Sequence, residues 1–170
     1  MKKISFRNDV LPLKNQLFRL ALRITLNREE AEDIVQDTLI KVWNNRDKWE
    51  EIESIESYCY TITRNLSFDR HKRRENQTAS LDDRFSEQAD LSSDPSEEMI
   101  RIDRIKSVRQ LIDQLSEKQR TCIQLRDFEG KPYKEIATIM GITEEQVKVN
   151  IFRARQFIKR KYQELDKYGL

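Results

Sequence analysis

Two groups of cationic side chains are spaced to grip a polyanion, and no other grouping in the chain is spaced for bond-making chemistry. In the first, Lys148, Arg153 and Arg155 fall outside the apolar positions of a helix that begins near Thr143. In the second, residues 63–74 carry five basic residues against one acid, with Arg64 followed by the run Arg70-His-Lys-Arg-Arg74. Charge clustered this way neutralises phosphates and releases their counterions, although the helix dipole alone also favours cations at a helix C-terminus. Catalysis finds no support. There is no nucleophile paired with a base and no glycine-rich phosphate loop, and Glu29, Glu30 and Asp33 lack metal-site spacing. The single histidine, His71, and the distant Cys59 and Cys122 argue against zinc. The cysteines fit buried thiols in a reducing compartment. The expectation is a binding protein and not an enzyme, with no cofactor and no metal.

The elements that must present these cations are helices. Over residues 131–155, Ile136, Ala137 and Met140 give a first short helix an apolar face, and Gly141 stands where the chain must turn with φ > 0. Thr143 and Gln146 form a capping box, and Val147 and Ile151 point back at i, i+4 spacing. This is the pattern of a helix-turn-helix, whose second helix enters the major groove of DNA; Lys159-Arg-Lys161 extends it. In the N-terminal half, residues 11–26 carry a helical stripe of Leu13, Leu17, Leu20, Ala21 and Ile24. Asn27 caps a helix over about 28–44 that buries Ala31, Ile34, Val35, Thr38, Leu39 and Val42. Glu32, Asp33, Gln36 and Asp37 lie on its other side, either simply solvated or as a partner-binding face. Residues 44–56 read as a loop, with Trp49 either anchoring it or contacting an unstacked base. Ser54 or Ser57 caps the helix that carries residues 63–74, its buried side Tyr58, Cys59, Ile62 and Leu66 and its exposed side Arg64, Asn65 and Phe68.

Composition agrees with this inventory. The 170 residues include three Gly and three Pro, and 36% are charged, which favours an all-α fold. The net charge of +2 hides an asymmetry, since residues 75–98 hold one basic and eight acidic residues between two basic modules. That polar, aperiodic stretch predicts a flexible linker. The expected organisation is therefore a helical domain over 1–75, a linker over 76–96 and a helical domain over 97–170. In the last of these, Met99, Ile102, Ile105, Val108, Leu111, Ile112 and Leu115 stripe a helix. Ser116 caps the next helix, with Gln119 in the capping-box position, and Gly130 ends it. No run is apolar enough for a signal peptide or a membrane span, which points to the cytoplasm and to no membrane insertion.

Several stretches jointly carry a family resemblance. Ala31-Glu-Asp-Ile-Val-Gln-Asp-Thr, Trp43, Tyr58-Cys-Tyr-Thr-Ile-Thr-Arg-Asn-Leu-Ser-Phe-Asp-Arg70 and the basic run resemble region two of the bacterial extracytoplasmic-function (ECF) sigma factors. Leu115-Ser-Glu-Lys-Gln-Arg120, Leu125-Arg-Asp-Phe-Glu-Gly130, Tyr133-Lys-Glu-Ile-Ala137 and Val147-Lys148 with Phe152-Arg-Ala-Arg155 resemble their region four. The resemblance implies a sigma factor that binds core RNA polymerase, directs it to promoters and helps open the DNA. It makes Asp33, Gln36 and Asp37 the surface for the polymerase clamp helices, with the flap as a further polymerase contact. It makes Trp49, Arg64, Asn65, Arg70, Lys72, Arg73 and Arg74 the minus-10 residues. Asn65 would hold a flipped base, and the cations would hold phosphates. Lys148, Val149, Asn150, Arg153 and Arg155 become the minus-35 residues, with Arg153 suited to a guanine edge or a phosphate and Asn150 to an adenine edge. Val149 and Asn150 depart from the small or basic residues common in the family, as Tyr58 does from tryptophan. An anti-sigma protein is a further implied partner. The alternative reading is a stand-alone helix-turn-helix regulator that binds duplex DNA without polymerase.

Overall fold

The computed structural model describes residues 3–78 and 97–167, and among them every regular element is helical. A π-helical turn at Phe6–Val10 and a 3-10 turn at Leu11–Leu13 lead into α1 (Lys14–Thr25), α2 (Arg28–Asn44) and α3 (Ile55–Thr78). The second module holds α4 (Glu97–Asp113), α5 (Glu117–Ile123), α6 (Tyr133–Met140) and α7 (Glu144–Lys167). Of the expected linker 76–96, residues 76–78 continue α3 and residues 79–96 lie outside the described residues. Among the described residues no helix is long and apolar enough to cross a membrane.

Local chemistry sets the helix ends. The Asn27 side chain accepts from the Glu30 amide at 2.9 Å and starts α2. Ser54 Oγ accepts from the Ser57 amide at 3.2 Å and starts α3, and Ser116 does the same for α5. Thr143 and Gln146 exchange both bonds of the capping box, at 3.0 and 3.1 Å. Gly141 takes φ 68° as the turn requires. The exception is the end of α1. Leu26 adopts φ 57° there, a left-handed conformation in which its Cβ crowds the backbone.

α1, α2 and α3 pack on one another around Leu17, Leu20, Ile24, Val35, Val42 and Cys59. A hydroxyl pair, Thr63 to Thr38 at 3.1 Å, satisfies polar groups inside that packing. The two modules then dock. α3 lies against α6 and α1 against α5, and Leu125, Ile136, Ile139 and Met140 join the same apolar cluster as Leu17 and Tyr60. Burying one such Leu or Ile is worth roughly 1.5–3 kcal/mol. The Arg19–Glu129 pair at 2.9 Å joins a half-exposed guanidinium to a carboxylate side chain that is 5% exposed, so the seam combines apolar burial with polar pairs.

Three sequence expectations change. Residues 46–51 form a 3-10 turn instead of open loop, because the Trp49 indole N–H donates to the Val42 carbonyl at 3.1 Å and its ring stacks parallel to Phe6. The stripe on α4 is buried only at Leu111 and Ile112, continued by Leu115, while Met99, Ile102 and Ile105 are exposed. Arg64, expected outward, is 12% exposed because the second module covers it.

The left-handed Leu26 is expected to be a reservoir of strain. Relief of about 1–2 kcal/mol at that residue exceeds the extra chain entropy of glycine, about 0.5–1 kcal/mol. Leu26→Gly should therefore raise the thermal unfolding midpoint, and a lowered midpoint would show that the leucine's contacts outweigh the strain.

Candidate functional site

The outward face of α2 is the first candidate surface. Asp33, Gln36 and Asp37 recur at i, i+3 and i+4 and are all exposed. Continuing the same spacing, Ile40 and Trp43 stand on that face at 58% and 45% exposure. Neither was assigned to the expected partner face, although Trp43 stands in the family motif, and each falls off the 31-34-35-38-42 buried register. Arg46 lies over the Trp43 ring at 4.5 Å, and Phe6 meets its edge at 5.3 Å. This patch combines acid and aromatic, an anchor composition common at protein interfaces.

Part of that acidity is already answered. Arg70 of α3 reaches Asp33 at 3.5 Å and Asp37 at 3.2 Å, and Arg74 reaches Glu30 at 3.7 Å. The basic run thus divides: Arg70 and Arg74 brace α3 against α2, and Lys72 and Arg73 are exposed. Asn65 is exposed farther up α3. Trp49 is half-buried with its N–H engaged, so it serves as an anchor in this arrangement. Arg64 lies over the Phe68 ring at 4.7 Å and reaches Glu117 of α5 at 3.5 Å. The residues expected at the minus-10 element therefore lie on α3 and its approach, but they are not one continuous exposed surface in the docked body.

The outward face of α7 is the second. Val147, Ile151 and Ala154 are buried, which fixes the helix rotation. Lys148, Val149 and Arg153 are consequently exposed on one face. Phe152 joins them at 64% exposure, and it was not among the expected residues. Its i+4 spacing from Lys148 was the available signal. Asn150 sits at the edge of this face, half-buried, its amide donating to the Gln146 carbonyl at 2.8 Å. Arg155, at the other edge, is forked onto Asp127, with Nε at 3.2 Å from the carboxylate. That hydrogen bond raises the Arg155 pKa further above its ordinary value. Tyr133 of α6 carries Arg126 on its ring at 4.3 Å and Lys148 at 5.7 Å, which ties the two helices of the motif together.

The family model for Sigma-70 region 2 matches residues 10–77, and that for Sigma-70, region 4 matches residues 105–158. The chain is 31% identical to the ECF RNA polymerase sigma factor SigL of Mycobacterium tuberculosis, over 88% of this chain and 84% of that one. It is 29% identical to the RNA polymerase sigma-H factor of Pseudomonas aeruginosa, over 96% of this chain and 89% of that one. Among solved structures, the sigma factor RpoE in complex with the anti-sigma factor NepR from Bartonella quintana superposes with a TM-score of 0.73 at 25% identity, over 95% of this chain and 98% of that chain. The chain belongs to the extracytoplasmic-function family of RNA polymerase sigma factors, which direct the polymerase to specific promoters.

Proposed function

We propose that this sigma factor engages core polymerase through the outward face of α2 and reads its promoter at two points, with α3 at the minus-10 element and α7 at the minus-35 element. The observation that carries the reading is the separation of two exposed faces of different chemistry. Asp33, Gln36 and Asp37 with Ile40 and Trp43 suit a protein partner, and Lys148, Val149, Phe152 and Arg153 suit a major groove. On α7, Arg153 offers bidentate bonds to a guanine edge, while Val149 and Phe152 offer apolar contact to a thymine methyl. Lys148 supplies charge toward phosphate. Asn150 has one amide hydrogen on its own helix and keeps the rest of the group for an adenine edge. On α3, the exposed amide of Asn65 can both donate to and accept from an unstacked base, and Lys72 and Arg73 face the backbone.

The flap of the polymerase is taken as a second contact of the core enzyme. An anti-sigma protein is taken as a partner, which the complexed RpoE relative supports. The protein works in the cytoplasm in this reading, where polymerase and promoter DNA are found. The domains are assigned as 1–75 for polymerase and minus-10, 76–96 as the connector, and 97–170 for minus-35.

The decisive experiment is run-off transcription with purified core polymerase on a genomic promoter library. Promoter-selective transcripts are expected, and tight duplex binding without any affinity for core would instead favour a stand-alone regulator. Asp33→Arg should weaken core binding while the helical spectrum is retained; unchanged core affinity would remove α2 from the interface. Arg153→Ala should cost about 1–3 kcal/mol of discrimination at one minus-35 base pair, measured by competition with single-substituted duplexes, and a flat profile would displace it from base readout. Asn65→Ala should erase preference at one minus-10 base in open-complex assays; a preserved preference would assign that base to another residue.

A further inference from the structure

Beyond the residues assigned to the minus-35 element, α7 continues for about three more turns and carries Lys159 and Arg160, both exposed. Among the described residues no carboxylate pairs with either of them. Glu164, four residues after Arg160, is held by Lys161 at 3.5 Å. Arg155, four residues before Lys159, already has its charge answered by Asp127. From Gln146 to Gln163 the helix holds six basic residues and no acid, so positive charge runs uncancelled along that length.

The helix dipole does not account for these two cations. Its effect falls off within the last turn, and the last turn of α7, 164–167, holds Glu164 and Asp166 with Lys167. Lys159 and Arg160 lie upstream of that turn, in register with the reading face. Seven residues make about two turns of helix, so Arg160 repeats the side of Arg153 and Lys159 that of Phe152. Burial agrees. Val147, Ile151 and Ala154 turn inward, while Arg153, Gln156, Lys159 and Arg160 are exposed.

Distance along the helix axis decides what this strip meets. Base edges are read by the N-terminal residues of a recognition helix, here Lys148 to Arg153. At about 1.5 Å per residue, Arg160 lies about 10 Å beyond Arg153, and Lys159 about 16 Å beyond Lys148. The major groove is about 12 Å wide, so a helix that enters it at Lys148 has passed its rim by Lys159. Side chains there face the phosphate ridge, whose contacts fix register and orientation and carry no sequence information. We propose that Lys159 and Arg160 are a phosphate clamp: where α7 leaves the major groove, they hold the DNA backbone flanking the minus-35 element and set the register of the reading face. This rests on the assignment of α7 to the minus-35 element above. It adds a sequence-blind contact to the base-reading ones, and it makes affinity depend on the flank as well as on the element.

Salt titration of duplex binding by the full chain, read by fluorescence anisotropy, tests the clamp. Each phosphate neutralised contributes about 0.9 to the slope of log affinity against log salt. Lys159→Gln combined with Arg160→Gln should therefore lower the slope by about 1.8, so that between about 50 and 200 mM salt the parent loses roughly tenfold more affinity than the double variant. At any one salt concentration the weakening should be equal on every single-substituted minus-35 duplex, in contrast to Arg153→Ala, which should act at one base pair. Lys161→Gln removes a cation already paired with Glu164 and should leave the slope at the parent value. Replacing the flanking phosphates by uncharged methylphosphonates should cost the parent the same slope and the double variant none. A parent slope in the double variant, with its helical spectrum intact, refutes the clamp. An equal fall in Lys161→Gln reduces the effect to overall charge and overturns the clamp as well. So does an unchanged duplex slope joined to weaker binding of core polymerase, which gives these cations to a protein partner. If the parent discriminates among no minus-35 duplexes, the reading of α7 fails instead, and the slopes on a long duplex still decide whether Lys159 and Arg160 hold phosphate.

Discussion

The last turn of α1 is the constraint on which the docked arrangement depends. A helix end presents carbonyls that its own backbone cannot satisfy, and here they face another module across an apolar seam. Here they lie beside the apolar cluster of Leu17, Ile24 and Leu125, and the Arg120 guanidinium donates to two of them. A side chain with several donors in one plane meets the need, which lysine's compact ammonium does not. Placing that guanidinium against carbonyl dipoles avoids a second buried charge and the desolvation it would bring. The left-handed Leu26 belongs to the same device, since it is the residue that ends the helix at that point.

The docked body divides the assigned surfaces unequally. The outer faces of α2 and α7 remain accessible, whereas Arg64 and Lys131 are drawn into the seam. The two modules also differ in how they hold themselves together. The first has three long helices around one interior, braced on its rim by Arg70 and Arg74 against the acids of α2. In the second, Leu111 and Ile112 of α4 are buried while Met99, Ile102 and Ile105 are exposed.

Local signals carried most of the fold. The cap at Asn27, the box at Thr143 and Gln146, and the turn glycine at Gly141 all act within four residues, so their outcome can be read directly from spacing. What escaped was set by partners distant in the chain. Residues 46–51 read as open loop because the partners of Trp49, Phe6 and Val42, belong to other elements, although anchoring was one of the two readings for Trp49 itself. Arg64 reads as exposed because Glu117 lies 53 positions away. Met99, Ile102 and Ile105 show a helical stripe yet are exposed, and periodicity reports only that a face is apolar, not how far it is buried. On the candidate surfaces, family motifs pointed to Asp33, Asn65 and Arg153; Trp43 and Phe152 stand in those motifs without an assigned role, and their place on the exposed faces, with that of Ile40, followed only once the buried register of each helix was fixed.

Cys59 and Cys122 sit at zero exposure in the shared interior, and burial pushes both thiols up to about 12. The thiolate is the form that reacts with oxidants and electrophiles, and burial disfavours it at both positions. Neither sulfur is therefore offered to such reagents while the chain is folded this way, and any chemistry at either thiol first requires the shared interior to open.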